Sequence, residues 1–153
     1  MPIRPPTKDE RTHPGSAYRY ARDVLNGRFP AGEKAIATSS KHACDYAIDV
    51  LKGRFPAGEK IISDYEQDSW LYAKYVIKGR WPPGEEAIMG GPEFYGPYLE
   101  FLAEEHPEDY DAFKMEHGAW QPDAPVQPEY YDPDDMDEAA MVEAALTKAR
   151  AGC

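Results

Sequence analysis

The chain has 153 residues, a mean hydropathy of −0.71 and a formal net charge of −11, with two cysteines. That length suffices for one domain with a core, while two cysteines exclude a disulfide framework. With no apolar run near the length of a membrane span and no charged-then-apolar leader, the expectation is a soluble protein of a reducing cytoplasm.

Residues 1–14 are rich in proline and charge and read as a flexible, extended arm, with Ser16 as the N-cap of the first helix. Over residues 17–88 one phrase is then written three times, twenty-six residues apart. Positions 17, 20, 21, 24 and 25, their equivalents 43, 46, 47, 50 and 51, and again 69, 72, 73, 76 and 77, carry the i, i+3, i+4, i+7, i+8 spacing of an amphipathic helix. Gly27, Gly53 and Gly79 stand where that helix needs a left-handed residue. Pro30, Pro56 and Pro82 then suit the first turn of a second helix. Glu33, Glu59 and Glu85 face the positive end of its dipole, and Ile36, Ile62 and Ile88 point inward.

Each unit is thus a longer helix, a turn and a short helix. No unit of that size buries its own stripe, so neighbours must stack. Linkers at Ala37–Ser40 and Ser63–Glu66 carry capping residues, the second as a capping box. Cys44, in the place of Tyr18 and Trp70, reads as a helix-flank residue. After Gly91 the phrase degrades: Tyr98 keeps the register of Tyr72, Pro107 starts another helix through Met115, and Gly118 ends it. Residues 119–134 hold four prolines and no periodicity, as an extended segment would. From Asp135 a last amphipathic helix carries Ala139, Val142, Leu146 and Ala149 on one face.

The expected fold is therefore all-α. It is a small solenoid of three helix–turn–short-helix units (15–40, 41–66, 67–92) with a degenerate capping unit (93–118), together a repeat domain of residues 15–118. The arm 1–14 precedes it; the extended acidic segment 119–134 and a C-terminal helix 135–153 follow. The repeated phrase, Tyr-Ala-x-x-Val-(Leu/Ile)-x-Gly-Arg-(Phe/Trp)-Pro-x-Gly-Glu-x-x-Ile, resembles helical repeats of uncharacterised tailed-bacteriophage proteins. That resemblance implies a helical stack and a phage or prophage origin, and it implies no catalytic residue.

The residues demanded in every copy, Tyr20, Tyr46 and Tyr72, Arg28, Arg54 and Arg80, and Glu33, Glu59 and Glu85, are most economically scaffold. The tyrosines then form core aromatics whose hydroxyls reach the edge. Function should lie where the copies differ: Arg19/Asp45/Leu71, Arg22/Ile48/Lys74 and Asp23/Asp49/Tyr75. Leu71 and Tyr75, flanked by Trp70, lie on the face opposite the core stripe and need cover from the C-terminal helix or from a partner. His13, His42, His106 and His117 show no ligand spacing, so no metal or cofactor is expected.

Charge is the remaining signal. Residues 1–35 carry 7 Lys/Arg against 4 Asp/Glu, residues 36–91 carry 7 against 8, and residues 92–153 carry 3 against 16. This disfavours direct nucleic-acid binding, because phosphate neutralisation needs a basic face. Tyr130 and Tyr131 with Asp132, Asp134, Asp135, Asp137 and Glu138 are the candidate contacts for a basic protein partner. No nucleophile elbow, phosphate loop or dinucleotide fingerprint is present. The expected function is a non-enzymatic interaction module, phage-encoded on the resemblance above, that modulates a host or phage protein. A nucleic-acid-binding defence factor is the sharpest form of that expectation. The alternatives are an assembly protein that homo-oligomerises through the solenoid and, third, an enzyme of unrecognised type.

Overall fold

The computed structural model describes residues 2–118, which form only helices and turns, with no strand among the described residues. The expectations for residues 119–134 and 135–153, including Tyr130, Tyr131, Asp132, Asp134, Asp135, Asp137 and Glu138, lie outside the described residues. Helix α1 is Lys8–Thr12. Three long helices begin as α-helix and end in a π-helical turn. They are α2 (Pro14–Arg19, then Tyr20–Leu25), α4 (Ser40–Asp45, then Tyr46–Leu51) and α6 (Glu66–Tyr72, then Ala73–Ile77). The short helices α3 (Pro30–Ile36), α5 (Pro56–Ile62) and α7 (Pro82–Gly90) each start on a proline. Helices α8 (Pro92–Glu105) and α9 (Pro107–His117) close the described chain.

One continuous core runs through α2 to α9, and α1 contributes no buried residue to it. Ala17, Tyr20 and Ala21, Ala43, Tyr46 and Ala47, and Ser69, Tyr72 and Ala73 are buried from the long helices. Ile36, Ile62 and Ile88 from the short helices are fully so. The last two positions of each stripe, Val24 and Leu25 and their equivalents, are only half-buried. The wider π turn changes the phase of the stripe and carries them to its margin.

The long helices end otherwise than their glycines suggest. The left-handed residue is Asn26, Lys52 or Lys78, with φ of 50°, 49° and 57°, while Gly27, Gly53 and Gly79 do not have positive φ. The extra residue in the π turn moves the chain reversal one position earlier. The Ala21 carbonyl then accepts the backbone N–H of both Asn26 and Gly27, and Ala47 and Ala73 do the same in the next two units.

A different glycine is sterically required. A Cβ on Gly58 would stand 2.6 Å from the Phe55 ring and 2.8 Å from Ala43 Cβ. Gly32 under Phe29 and Gly84 under Trp81 are equally crowded. Each short helix therefore crosses the start of its own long helix at a contact between small residues, roofed by the aromatic ring.

Four local expectations are corrected. Within the arm, Thr7 caps α1 through a full capping box with Glu10, because the peptide and the carboxylate satisfy each other there. Ser16 caps nothing: α2 already starts at Pro14, and the Ser16 hydroxyl donates to Asp9 (2.6 Å). Ser63 and Glu66 form no capping box, since Ser63 Oγ donates back to the Lys60 carbonyl and Tyr65 takes the N-cap position without a side-chain bond. Cys44, expected at a helix flank, is fully buried.

Candidate functional site

The repeated polar residues assemble into one lock per unit. Arg28 Nε donates to Glu33 Oε1 at 2.7 Å. Tyr46, from the next unit, donates its hydroxyl to the same carboxylate at 2.9 Å and accepts the Phe29 backbone N–H at 2.9 Å. Arg54, Glu59 and Tyr72 repeat this with the Phe55 N–H, and Arg80, Glu85 and Tyr98 with the Trp81 N–H. The hydroxyls therefore do not reach the edge; they tie adjacent units together. The arginine hydrogen bond holds the Glu33 and Glu59 carboxyls below the usual carboxylate range. Burial first, and then the nearby carboxylate, pushes the Tyr46 phenol up to about 12 and raises Tyr72 and Tyr98 as well.

Tyr20 has no preceding unit, and the N-terminal arm replaces it. Its hydroxyl donates to the Arg4 carbonyl at 2.6 Å, the Arg4 guanidinium lies 5.1 Å from the Tyr20 ring centre, and Arg4 pairs with Glu10 at 2.6 Å. That pairing, through the Arg4 hydrogen bond first, lowers the Glu10 carboxyl to about 2.

Unit three differs from the others because α9 lies on its lock. Glu116 grips the Arg80 guanidinium with both oxygens, one of them 2.9 Å from Nη1. Asp109 accepts the Arg80 backbone N–H at 3.1 Å, and Phe113 stacks 5.5 Å from the same guanidinium. The Arg80 side chain is consequently 10% exposed, against 67% for Arg28 and 60% for Arg54. The small-residue crossing under α7 has no counterpart under α9. Tyr95 and Tyr110 occupy the places of the small residues at the helix crossing, and His106 alone separates α9 from α8.

Glu85, Glu116 and His117 offer ligand atoms within 4.8 Å of one another, a cluster that sequence spacing could not show across thirty-one residues. Arg80 already bonds both carboxylates, so a cation there would have to displace a guanidinium. The Arg80 hydrogen bond also holds the Glu116 carboxyl below its ordinary range.

The variable positions are largely engaged within the fold. Arg22 pairs with Asp23 at 2.7 Å and stacks on Tyr18, whose hydroxyl donates to Asp49 at 2.6 Å. Asp45 pairs with Lys41 at 2.7 Å. Trp70 packs edge-on against Tyr98 and Phe101 of α8, and Leu71 is half-buried against the core. Tyr75 remains 50% exposed, with Lys74 5.4 Å from its ring centre. Arg19 is also exposed.

Cys44 is chemically quiet: burial, reinforced by Asp68 and Asp45, pushes its thiol up to about 12. No described helix is long and apolar enough to cross a membrane. No family model, curated protein or solved structure matches the chain.

Proposed function

We propose that the chain is a non-enzymatic protein-interaction module, a small solenoid of three helical units closed by a degenerate fourth, whose acidic end engages a basic surface of a partner protein. One observation carries this reading. Residues 79–118 hold ten Asp/Glu and only two Lys/Arg, and both cations are spent internally, Arg80 on Glu85 and Glu116 and Lys114 on Asp111. Glu100, Glu104, Glu105 and Glu108 are exposed, and no Lys or Arg among the described residues forms an ion pair with them. Such a field repels itself within the fold and attracts a basic groove.

The bonds among tyrosine, glutamate and arginine that recur in the units serve the stack, whereas the acidic end is a surface in which the chain departs from its own repeat. The resemblance to phage repeats supports a host or phage protein as the partner, a nucleic-acid-binding defence factor in its sharpest form. The test is association rate against ionic strength for wild type and the E100Q/E104Q/E105Q/E108Q variant, using a basic host protein captured at low salt. The variant should associate about tenfold more slowly, and the wild-type rate should fall steeply with salt. A second variant neutralising Asp132, Asp134, Asp135 and Asp137 assigns the share of the tail. Equal, salt-independent rates for all three proteins overturn the reading.

A further inference from the structure

The residues that α9 uses on unit three are repeated, uncovered, on units one and two. At Gly79–Arg80 the seat has three parts. The outer edge of the guanidinium takes Glu116, the Arg80 backbone N–H takes Asp109, and the bare Gly79 Cα lets that carboxylate approach. A Cβ on Gly79 would lie 2.9 Å from Asp109 Oδ2. At Gly27 and Gly53 the nearest atom to such a Cβ is a backbone oxygen, at 3.9 and 3.8 Å, and neither glycine has positive φ. Nothing in the scaffold of units one and two therefore demands glycine there, yet glycine recurs. Arg28 and Arg54 turn Nε and one terminal nitrogen to their own Glu33 and Glu59, as Arg80 does to Glu85. Their other terminal nitrogen faces no carboxylate among the described residues.

We propose that Gly27–Arg28 and Gly53–Arg54 form an open receptor for an acidic helix of a partner protein, one presenting two carboxylates two turns apart. Asp109 and Glu116 are seven residues apart on α9, hence on one face, with Phe113 between them stacked on the guanidinium. That is the pattern the partner helix has to match. The planar fork of arginine suits a carboxylate held by two bonds, which a lysine at the same place could not provide. This surface is distinct from the acidic end and opposite in sign, and the proposal does not rest on a role for that end.

The probe is a labelled, helix-stabilised peptide of residues 107–118, titrated into the full chain at low salt and read by fluorescence anisotropy. Saturable binding is expected, weakened about tenfold or more by G27A/G53A and by a D109N/E116Q peptide. The glycine variant should unfold at the wild-type temperature, because its new methyl groups meet only a backbone oxygen at ordinary contact distance, 3.9 Å at Gly27 and 3.8 Å at Gly53. If it does not fold, R28K/R54K carries the same test, keeping a charge beside Glu33 and Glu59 while losing the fork. Absence of binding, or binding indifferent to both protein variants, overturns the proposal. So does stronger competition by single-stranded oligonucleotide than by unlabelled peptide. Dimerisation of the wild type that G27A/G53A abolishes would give the seat to α9 of a second copy and would equally overturn a separate partner.

Discussion

Tyr46 shows how much of the stack rests on single atoms. Its ring is fully buried and meets Phe55 edge-on at 5.0 Å, while its hydroxyl joins the Phe29 N–H of the preceding unit to Glu33. Tyr46→Phe keeps the ring and removes only that junction. It leaves a buried backbone N–H without an acceptor, which costs about 1–3 kcal/mol. Denaturant unfolding should show that loss with an unchanged slope, and a loss below about 0.5 kcal/mol would mean that water replaces the hydroxyl. The recurrence of tyrosine, arginine and glutamate was plain in the sequence. Their convergence was not, because the tyrosine of each lock is supplied by the next unit.

At the scale of the element, the π-helical end is the least expected feature. It places Lys52 and Lys78, both with a Cβ, in the left-handed region, where an L-residue costs about 1–2 kcal/mol. Glycine at that position releases the strain but gives back part of it as chain entropy. Lys52→Gly should therefore stabilise the protein by about 0.5–1 kcal/mol, read as a raised thermal midpoint. A lowered midpoint would show that the lysine side chain contributes more than its backbone costs. The period showed that each long helix ends before a Gly-Arg pair. It could not show which residue turns the chain, since a π turn shifts that position by one without altering the twenty-six-residue repeat.

Across the whole molecule the locks act together, and their carboxylates tie stability to pH. Glu33 and Glu59 have folded values below the ordinary 4.5, and Glu10 lies at about 2. A depressed carboxylate contributes fully above its unfolded value and loses that contribution as pH falls through its folded one. Stability in urea should thus hold steady down to about pH 5 and decline below about 4.5, toward pH 2. Tyr46 has the opposite sense: its raised phenol contributes fully below pH 10.0 and loses that contribution as pH rises toward about 12. A urea midpoint flat from pH 6 to pH 2 would show that the arginine pairs are screened and energetically idle.

The helical class and the inward Ile36, Ile62 and Ile88 follow from the sequence alone, because hydrophobic period and a helix-starting proline act locally. The register of Tyr98 was legible for the same reason: it repeats Tyr72 at the same interval. Tertiary structure decided the rest. It buried Cys44, roofed Gly58 with Phe55, turned the N-terminal arm into a cap for Tyr20, and seated α9 on Arg80. Each of these depends on which surfaces meet across units, and a repeat that is uniform along the chain carries no information about how its ends are closed. The glutamates of α9 look like solvated charge in the sequence, and one of them, Glu116, holds Arg80, the most deeply buried arginine of the three locks.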